Sequence, residues 1–349
     1  MFNEKRKRLN VLVAIVIIAI ICSIIFSMKK VKNNISKNDN KVIIGLSIDS
    51  LAIERWQRDR DIFVAKAKEL GADVIVQNSN GNSDEQLKQV NYLMDQNIDV
   101  LVVIPNDADA LTSIVKTAKN KGIKVISYDR LVKNADVDLY ISFDNVKVGE
   151  LMAKSLVKKA PEGNYIIING SEEDYNTYFM NKGFKNVLDP YINKGKIAIV
   201  KEVWASGWRE EVAYKAVEEA LSSGTKIDAI LCGNDRLAES AIEALAEKRL
   251  AGKVFVAGQD ATLSACQRIV EDSQHMTVYK PIQKLAQKAA EISVGVANSK
   301  ILDVNDNLEN GQHTVLYHKE DVYAVTKENM MEVIIEGKFH NEEDVYMRK

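Results

Sequence analysis

The stretch Lys41–Asp61, KVIIGLSIDSLAIERWQRDRD, joins a predicted strand to the beginning of a predicted helix. Its first part, Val42–Ile48, is rich in β-branched and aliphatic residues, as buried strands are. A polar turn follows and presents Arg55 beside Trp56. In a doubly wound sheet, ligands lie just beyond the carboxyl ends of the strands. Arg55 and Trp56 are therefore candidate ligand contacts. Trp56 could equally pack the helix onto the core, and both interpretations stay open at this point.

Outward from this stretch, apolar runs and helical patterns alternate along the chain, which is typical of parallel βαβ units. A first set ends near Phe143, and a second set of the same kind follows it. Each set is close to the usual domain size of ~100–150 residues. The sequence therefore predicts an α/β fold with two Rossmann-like, doubly wound lobes. A ligand cleft is expected between the lobes, since clefts between domains are preferred binding places for small molecules.

Charge and cysteine content exclude several classes of function. The formal net charge is −2, from 47 basic and 49 acidic residues, so no basic surface for nucleic acid is expected. The three cysteines, Cys22, Cys232 and Cys266, have neither a disulfide framework nor metal-ligand spacing. No glycine-rich phosphate loop, H-E-x-x-H or C-x-x-C motif is present. The sequence predicts no cofactor, no metal and no catalytic centre.

The amino-terminal segment has a different composition. Leu9–Met28 is predominantly apolar and close to the ~20 residues that a membrane-spanning helix requires. Residues 1–8 are basic, which predicts a cytoplasmic tail, and residues 29–40 are rich in Ser, Asn and Lys, which predicts a short linker. A signal peptide usually has a shorter apolar run and a small-x-small cleavage site, and none is evident. We expect an uncleaved, single-pass membrane anchor with an extracytoplasmic domain, and cleavage is the alternative.

Polar side chains follow the predicted strands of both lobes. Three cations, Arg55, Arg130 and Lys280, are matched by three carboxylates, those of Asp129, Asp174 and Asp260. Any one of these acidic residues could be a helix cap. Together they suit a neutral ligand with many hydroxyls, because a hydroxyl donates to a carboxylate and accepts from a cation.

Several longer motifs carry a resemblance to a known family. They are IERWQRDRDIF (Ile53–Phe63), QNSNGN (Gln77–Asn82), DVLVVIP (Asp99–Pro105), GIKVISYDR (Gly122–Arg130), YISFDNVKVGEL (Tyr140–Leu151), KIDAILCGND (Lys226–Asp235), GQDA (Gly258–Ala261) and MTVYKPI (Met276–Ile282). The chain resembles type I periplasmic sugar-binding proteins, and among them the D-xylose-binding proteins most closely. The resemblance covers nearly everything from Lys41 to His340.

The resemblance implies a set of sugar contacts: Arg55, Trp56, Asp129, Arg130, Asp174, Asn176, Trp208, Asn234, Asp260 and Lys280. Trp56 and Trp208 would be the aromatic platforms for the sugar ring. The chain departs from the family pattern along Ser171–Met180, and above all at Tyr175, where asparagine is common.

The resemblance also implies three crossovers between the lobes, placed near Phe143–Asp144, Tyr279–Lys280 and Gly311–Thr314. The amino-terminal lobe is then residues 41–143 plus 281–312. The carboxyl-terminal lobe is residues 144–280 plus 313–349.

The predicted function is extracytoplasmic binding of a neutral monosaccharide, most closely D-xylose or a similar pentose. The predicted anchor favours signalling to a membrane partner such as a sensor histidine kinase. Alternatively, the chain is the substrate-binding subunit of an ABC sugar transporter and docks on its permease. A second copy of the chain is a further candidate partner. A DNA-binding repressor is excluded, because the first 40 residues hold charges, an apolar run and a linker rather than a helix-turn-helix.

Overall fold

The structure is a computed structural model that describes residues 41–52, 54–300, 304 and 306–347. The predicted basic tail, membrane anchor and linker, residues 1–40, lie outside the described residues. Among the helices of the described part, none is both long enough and apolar enough to cross a membrane. Residues Ile43–Lys349 form one compact unit.

Strands and helices alternate as the sequence predicts. The strands are β1 Ile43–Ile48, β2 Asp73–Asn78, β3 Val100–Val103, β4 Lys124–Tyr128, β5 Leu139–Phe143, β6 Gly163–Asn169, β7 Ile197–Trp204, β8 Ala229–Cys232, β9 Phe255–Ala257, β10 Thr277–Tyr279, β11 Asp306–Glu309, β12 Thr314–Glu320 and β13 Tyr323–Val325. The α-helices are α1 Glu54–Glu69, α2 Ser83–Asp95, α3 Thr112–Asn120, α4 Asn145–Lys159, α5 Asn176–Ile192, α6 Glu210–Ser222, α7 Asp235–Glu247, α8 Leu263–Val270, α9 Ile282–Ala297 and α10 Glu342–Tyr346. Short 3-10 helices span Ser206–Trp208 and Lys327–Asn329, and a π-helix spans Met331–Ile335.

The first lobe is built on a seven-stranded sheet with the strand order β11-β12-β5-β4-β3-β1-β2. Its strands are parallel except for the β11–β12 pair. β1 lies between β2 and β3 and is almost fully buried, which explains the uninterrupted apolar character of this segment. The carboxyl ends of β1 and β4 thus meet at the same edge, and Asp49 and Asp129 follow them there.

The second lobe has a parallel four-stranded sheet with the order β7-β6-β8-β9. Met276, directly before β10, forms an isolated parallel bridge with Ala257 of β9, and β10 pairs antiparallel with β13. Asn234, directly after β8, caps α7 by accepting a hydrogen bond from the Leu237 amide at 2.8 Å. Because β6, β8 and β9 run parallel, the acidic and amide residues that follow these strands lie at one edge of the sheet.

The chain passes between the two sheets three times. The first passage follows β5 and leads into α4, and the second follows β10 and leads into α9, which packs on α1 of the first lobe. The third passage lies between Glu320 and Tyr323.

The predicted third crossover at Gly311–Thr314 is therefore wrong. β12 pairs in parallel with β5, so this strand, which was assigned to the carboxyl-terminal lobe, belongs to the first sheet. The physical reason is the side chain of Tyr317, whose ring stacks on that of Tyr140 with 4.8 Å between centroids. The Tyr317 hydroxyl also donates to the carbonyl of Phe143 at 2.7 Å.

Candidate functional site

A cavity of about 590 Å³ lies where the carboxyl ends of the two sheets face each other. All ten side chains selected from the sequence line it: Arg55, Trp56, Asp129, Arg130, Asp174, Asn176, Trp208, Asn234, Asp260 and Lys280. The structure thus brings together residues that lie as far apart in the chain as Arg55 and Lys280. Their contact with a ligand remains a prediction.

Arg55 and Trp56 lie on the first turn of α1. The guanidinium of Arg55 stacks on the ring of Trp56, 4.3 Å from its centroid, and pairs with the carboxylate of Asp129. Trp56 is only 3% exposed, so it packs against the core as well as lining the cavity. Trp56 thus packs the helix onto the core, and its contact with a ligand stays a prediction. Because Arg55 covers part of the ring, Trp56 offers less free aromatic surface than Trp208 does.

Asp129 follows β4 in the left-handed region, with φ 60°. Its backbone carbonyl accepts hydrogen bonds from the Tyr140 hydroxyl at 2.9 Å and from Asn176 Nδ2 at 2.9 Å. Burial raises the pKa of Asp129, but the charges of Arg55 and Lys280 outweigh this and hold the pKa below its ordinary value. Asp129 is therefore a charged acceptor whose conformation depends on both lobes.

Arg130 links the two lobes. It is buried, and Nη1 donates to Asp49 Oδ2 of the first lobe at 2.7 Å. Its Nε lies 2.8 Å from Asp174 Oδ2 of the second lobe. Burial raises the pKa of Asp174, and the charge of Arg130 opposes this. Arg130 and Asp174 also line a second recess between the lobes, about 750 Å³ in volume, so their ion pair stands between two open spaces.

Trp208 closes the cavity from the second lobe. It ends the Ser206–Trp208 turn in the left-handed region, with φ 58°, and its amide donates to the Ala205 carbonyl at 2.7 Å. The ring rests on the backbone of Gly170, where an added Cβ would be 2.1 Å from Trp208 Cη2. Within the described residues, the indole nitrogens of Trp208 and Trp56 have no hydrogen-bond partner. Both indole nitrogens are therefore buried donors that are unpaired within the described residues.

Asp260 and Lys280 form the third ion pair of the cavity, with 2.6 Å between Lys280 Nζ and Asp260 Oδ1. Asp260 has φ 97°, a conformation that side chains other than glycine rarely adopt. Non-glycine residues in such conformations cluster at functional sites, because the surroundings must hold them there. Asp129, Trp208 and Asp260 all have a positive φ.

Several lining residues were missed by the sequence reasoning. They are Ala52, Asn145, Thr177, Met180, Asp235, Arg236, Gln259, Thr262, Leu263, Ser264 and Gln267. Asp235 had a usable signal, since it follows Asn234 at the end of β8. Burial, together with the negative charge of Asp260, raises the pKa of Asp235 to about 7. Met180 and Thr177 face the cavity from α5 and gave no local signal, because one helical face can be core or cavity.

Tyr175 is not among the residues that line the cavity. Its ring packs against Phe179 with 5.2 Å between centroids, and both residues contact the apolar core of the first lobe. The ammonium of Lys133, in the first lobe, lies 5.2 Å from the centroid of the Tyr175 ring. Nearby, the Ala108 amide donates to the Glu173 carbonyl at 3.0 Å. Tyr175, the main departure from the family pattern, therefore contacts the first lobe from the second lobe, beside the cavity.

The cavity offers three opposed ion pairs, amide groups and aromatic surface. Among the described residues, no group of three or more His, Cys, Asp or Glu side chains is placed to hold a metal ion.

Comparison with known proteins identifies the family. The family model described as "Periplasmic binding protein domain" matches residues 44–301. The chain belongs to this family. The predicted family is thereby confirmed, together with the predicted two-lobed α/β fold. The predicted anchor is outside the matched and the described residues.

Named relatives of this family are similar over most of their length. The D-xylose-binding periplasmic protein of Haemophilus influenzae is 48% identical over 312 residues, which are 89% of this chain and 94% of the relative. The protein of the same name from Escherichia coli is 45% identical over 89% of this chain and 95% of its own. A carbohydrate transporter solute binding protein from Chloroflexus aurantiacus, solved in complex with D-glucose, superposes with a TM-score of 0.82. It is 27% identical, over 87% of this chain and 98% of that protein.

Proposed function

We propose that this protein is an extracytoplasmic receptor that binds a neutral monosaccharide, D-xylose, in the cavity between its lobes. One observation carries the proposal: the cavity pairs three cations with three carboxylates, namely Arg55 with Asp129, Arg130 with Asp174, and Lys280 with Asp260. The names and the 45–48% identity of two relatives point to the same sugar.

The charge balance favours a neutral ligand over a charged one. An ion added to this cavity would have to break a buried ion pair in order to find its own partner. A sugar hydroxyl instead donates to a carboxylate and accepts from the neighbouring cation, so the pairs can stay together. Trp208 adds an aromatic surface for the C–H face of the ring.

Calorimetric titration of a soluble fragment spanning Lys41–Lys349 tests the proposal. We expect tight binding of D-xylose and much weaker binding of D-ribose, L-arabinose and D-glucose, because the fixed ion pairs match one arrangement of hydroxyls. Equal affinities for all four sugars would contradict selectivity. No heat with any of them would contradict the proposed ligand.

Tyr175→Asn separates lobe contact from sugar recognition. Because Tyr175 contacts Lys133 and the first lobe rather than the cavity, we expect D-xylose affinity to fall severalfold, as a half-buried cation–π contact and some apolar packing are lost. The ratio of the affinities for D-xylose and D-ribose should stay the same. The measurement is calorimetric titration with both sugars. A changed ratio would place Tyr175 among the residues that read the sugar.

We further propose that the bound receptor signals to a sensor histidine kinase in the same membrane. The support is the apolar stretch Leu9–Met28 and the short linker after it, which would keep the domain near the bilayer. Delivery to an ABC permease is the second candidate, because the similar Chloroflexus aurantiacus protein is named as a transporter component. Amino-terminal sequencing of the membrane-bound protein tests the anchor. A mature chain that begins after Met28 would remove the support for signalling and favour transport.

A further inference from the structure

The turn that carries Asp260 is unusual in its backbone. Asp260 has φ 97° and the next residue, Ala261, has φ 49°. Two consecutive residues other than glycine thus occupy the left-handed region, which costs free energy and persists only where the surroundings hold it. The turn matters because it directs the Asp260 carboxylate to Lys280 and to the cavity.

Two buried side chains hold this turn from behind. The Ala261 amide donates to Thr277 Oγ1 at 3.1 Å, and the Thr277 hydroxyl in turn donates to Asp235 Oδ2 at 2.9 Å. The same Asp235 oxygen accepts a hydrogen bond from the Thr262 amide at 3.0 Å. Thr277 and Asp235 are 0% and 1% exposed. The two amides that follow Asp260 are therefore both tied to one buried carboxylate, one of them through Thr277.

Asp235 is itself held firmly in place. Its other oxygen, Oδ1, accepts from Gln274 Nε2 at 2.9 Å. Its backbone amide donates to the carbonyl of Gln259, the residue before Asp260, at 2.9 Å. On the other side of the turn, the Asp260 amide donates to the Val278 carbonyl at 2.9 Å. The turn is thus fixed by α7 on one side and by β10 on the other.

We propose that Asp235 and Thr277 are positioning residues for sugar binding, which act by holding Asp260 in its left-handed conformation. The proposal rests on the proposed function, since it assumes that Asp260 accepts from the sugar. Loss of the Thr277 hydroxyl leaves the Ala261 amide without its acceptor, and loss of the Asp235 carboxylate leaves the Thr262 amide without its acceptor. In either case the turn relaxes toward an ordinary conformation. The Asp260 carboxylate consequently moves away from Lys280 and from the sugar hydroxyls.

Thr277 allows a clean test because it does not line the cavity, whereas Asp235 does. A direct contact with the sugar could explain an effect of Asp235, but not an effect of Thr277. Thr277→Val keeps the shape of the side chain and removes the hydroxyl. Thr277→Ser keeps the hydroxyl and is the matched control.

The experiment is a double-mutant cycle in calorimetric titration with D-xylose, using the full chain purified in mild detergent. We expect Thr277→Val to weaken binding by roughly tenfold, since one well-placed hydrogen bond is lost, and Thr277→Ser to stay near the wild type. Asp260→Asn alone should weaken binding strongly. In that background Thr277→Val should add little, because the residue through which it acts has already been disabled.

Three results would overturn the proposal. They are wild-type affinity in Thr277→Val, a full tenfold effect that persists in the Asp260→Asn background, and a Thr277→Ser variant as weak as Thr277→Val. If Thr277→Val does not fold, Asp235→Asn replaces it in the same cycle with the same expected results. If neither variant folds, the two residues hold the lobe rather than the turn, and the proposal fails.

A crystal structure of Thr277→Val provides a readout that needs no sugar. We expect Asp260 to leave the region of positive φ and its carboxylate to separate from Lys280. This result would support the positioning role even if the wild type did not bind D-xylose, in which case only the proposed ligand would be wrong. An unchanged turn in Thr277→Val would overturn the positioning role whatever the ligand is.

Discussion

Replacing Arg130 with alanine is expected to abolish measurable D-xylose binding. The guanidinium holds Asp49 of the first lobe and Asp174 of the second at 2.7 and 2.8 Å, so the substitution leaves two buried carboxylates without their cation. Removing one partner of a buried pair costs about 3–5 kcal/mol, more than a hundredfold in an equilibrium constant. We expect this free-energy cost to weaken sugar binding, because the Arg130–Asp174 pair joins the two lobes that enclose the cavity. Calorimetric titration measures it.

Two further variants show whether the loss is specific to this pair. Lys196→Ala removes an exposed ion pair, Lys196 with Glu162 at 2.7 Å, and should leave affinity unchanged, because exposed pairs contribute little. Arg130→Lys keeps the charge but has a single ammonium in place of two separated donors, so it should recover only part of the affinity. Thermal unfolding accompanies each titration. A folded Arg130→Ala protein that binds within threefold of the wild type would show that the pair has no part in binding.

The position of the site could be predicted from the sequence because parallel sheets follow a simple rule. Asp129 comes directly after β4, and Asp260 lies in the turn that follows β9. The carboxyl ends of parallel strands meet at one edge, so local patterns are sufficient to gather distant residues. From the sequence, helix capping and cavity lining are alternative roles for the polar residues at the strand ends. Asn234 does both, since its oxygen caps α7 while the side chain lines the cavity.

What could not be predicted depends on contacts between distant segments. The third crossover was misplaced because β12 is held by pairing with β5, and nothing local to Thr314–Glu320 indicates which sheet accepts it. The contact that Tyr175 makes could not be predicted for the same reason, since its partner Lys133 is in the other lobe. The left-handed turn at Asp260 carries no glycine of its own, and the buried groups that stabilise it, Asp235 and Thr277, come from separate elements.

Replacing Gly170 with alanine is the second change for which we expect a large effect. The new Cβ would lie 2.1 Å from Trp208 Cη2, well inside van der Waals contact. The backbone under the ring has little room to retreat, because it passes so close to Gly233 that a Cβ built there would be 2.7 Å from the Gly170 amide nitrogen. The indole must therefore move toward the open cavity that it lines. We expect D-xylose affinity to fall by about a hundredfold and stability by about 1–3 kcal/mol, as in overpacked cores. Calorimetric titration and chemical unfolding measure the two effects.

The comparison with Trp208→Ala decides whether the ring is the cause. Trp208→Ala should weaken binding less than Gly170→Ala does, because it removes a favourable surface without placing an obstacle in the cavity. The double variant should unfold at a higher denaturant concentration than Gly170→Ala alone, since the clash disappears with the ring. Gly295→Ala is the matched control: its nearest neighbours would be 3.9 Å away, and alanine favours the helix by about 0.8–1 kcal/mol. The contrary result is a Gly170→Ala protein that binds D-xylose as tightly as Gly295→Ala does. The position of the Trp208 ring would then be irrelevant to binding. The cavity would have to recognise the sugar through its ion pairs alone.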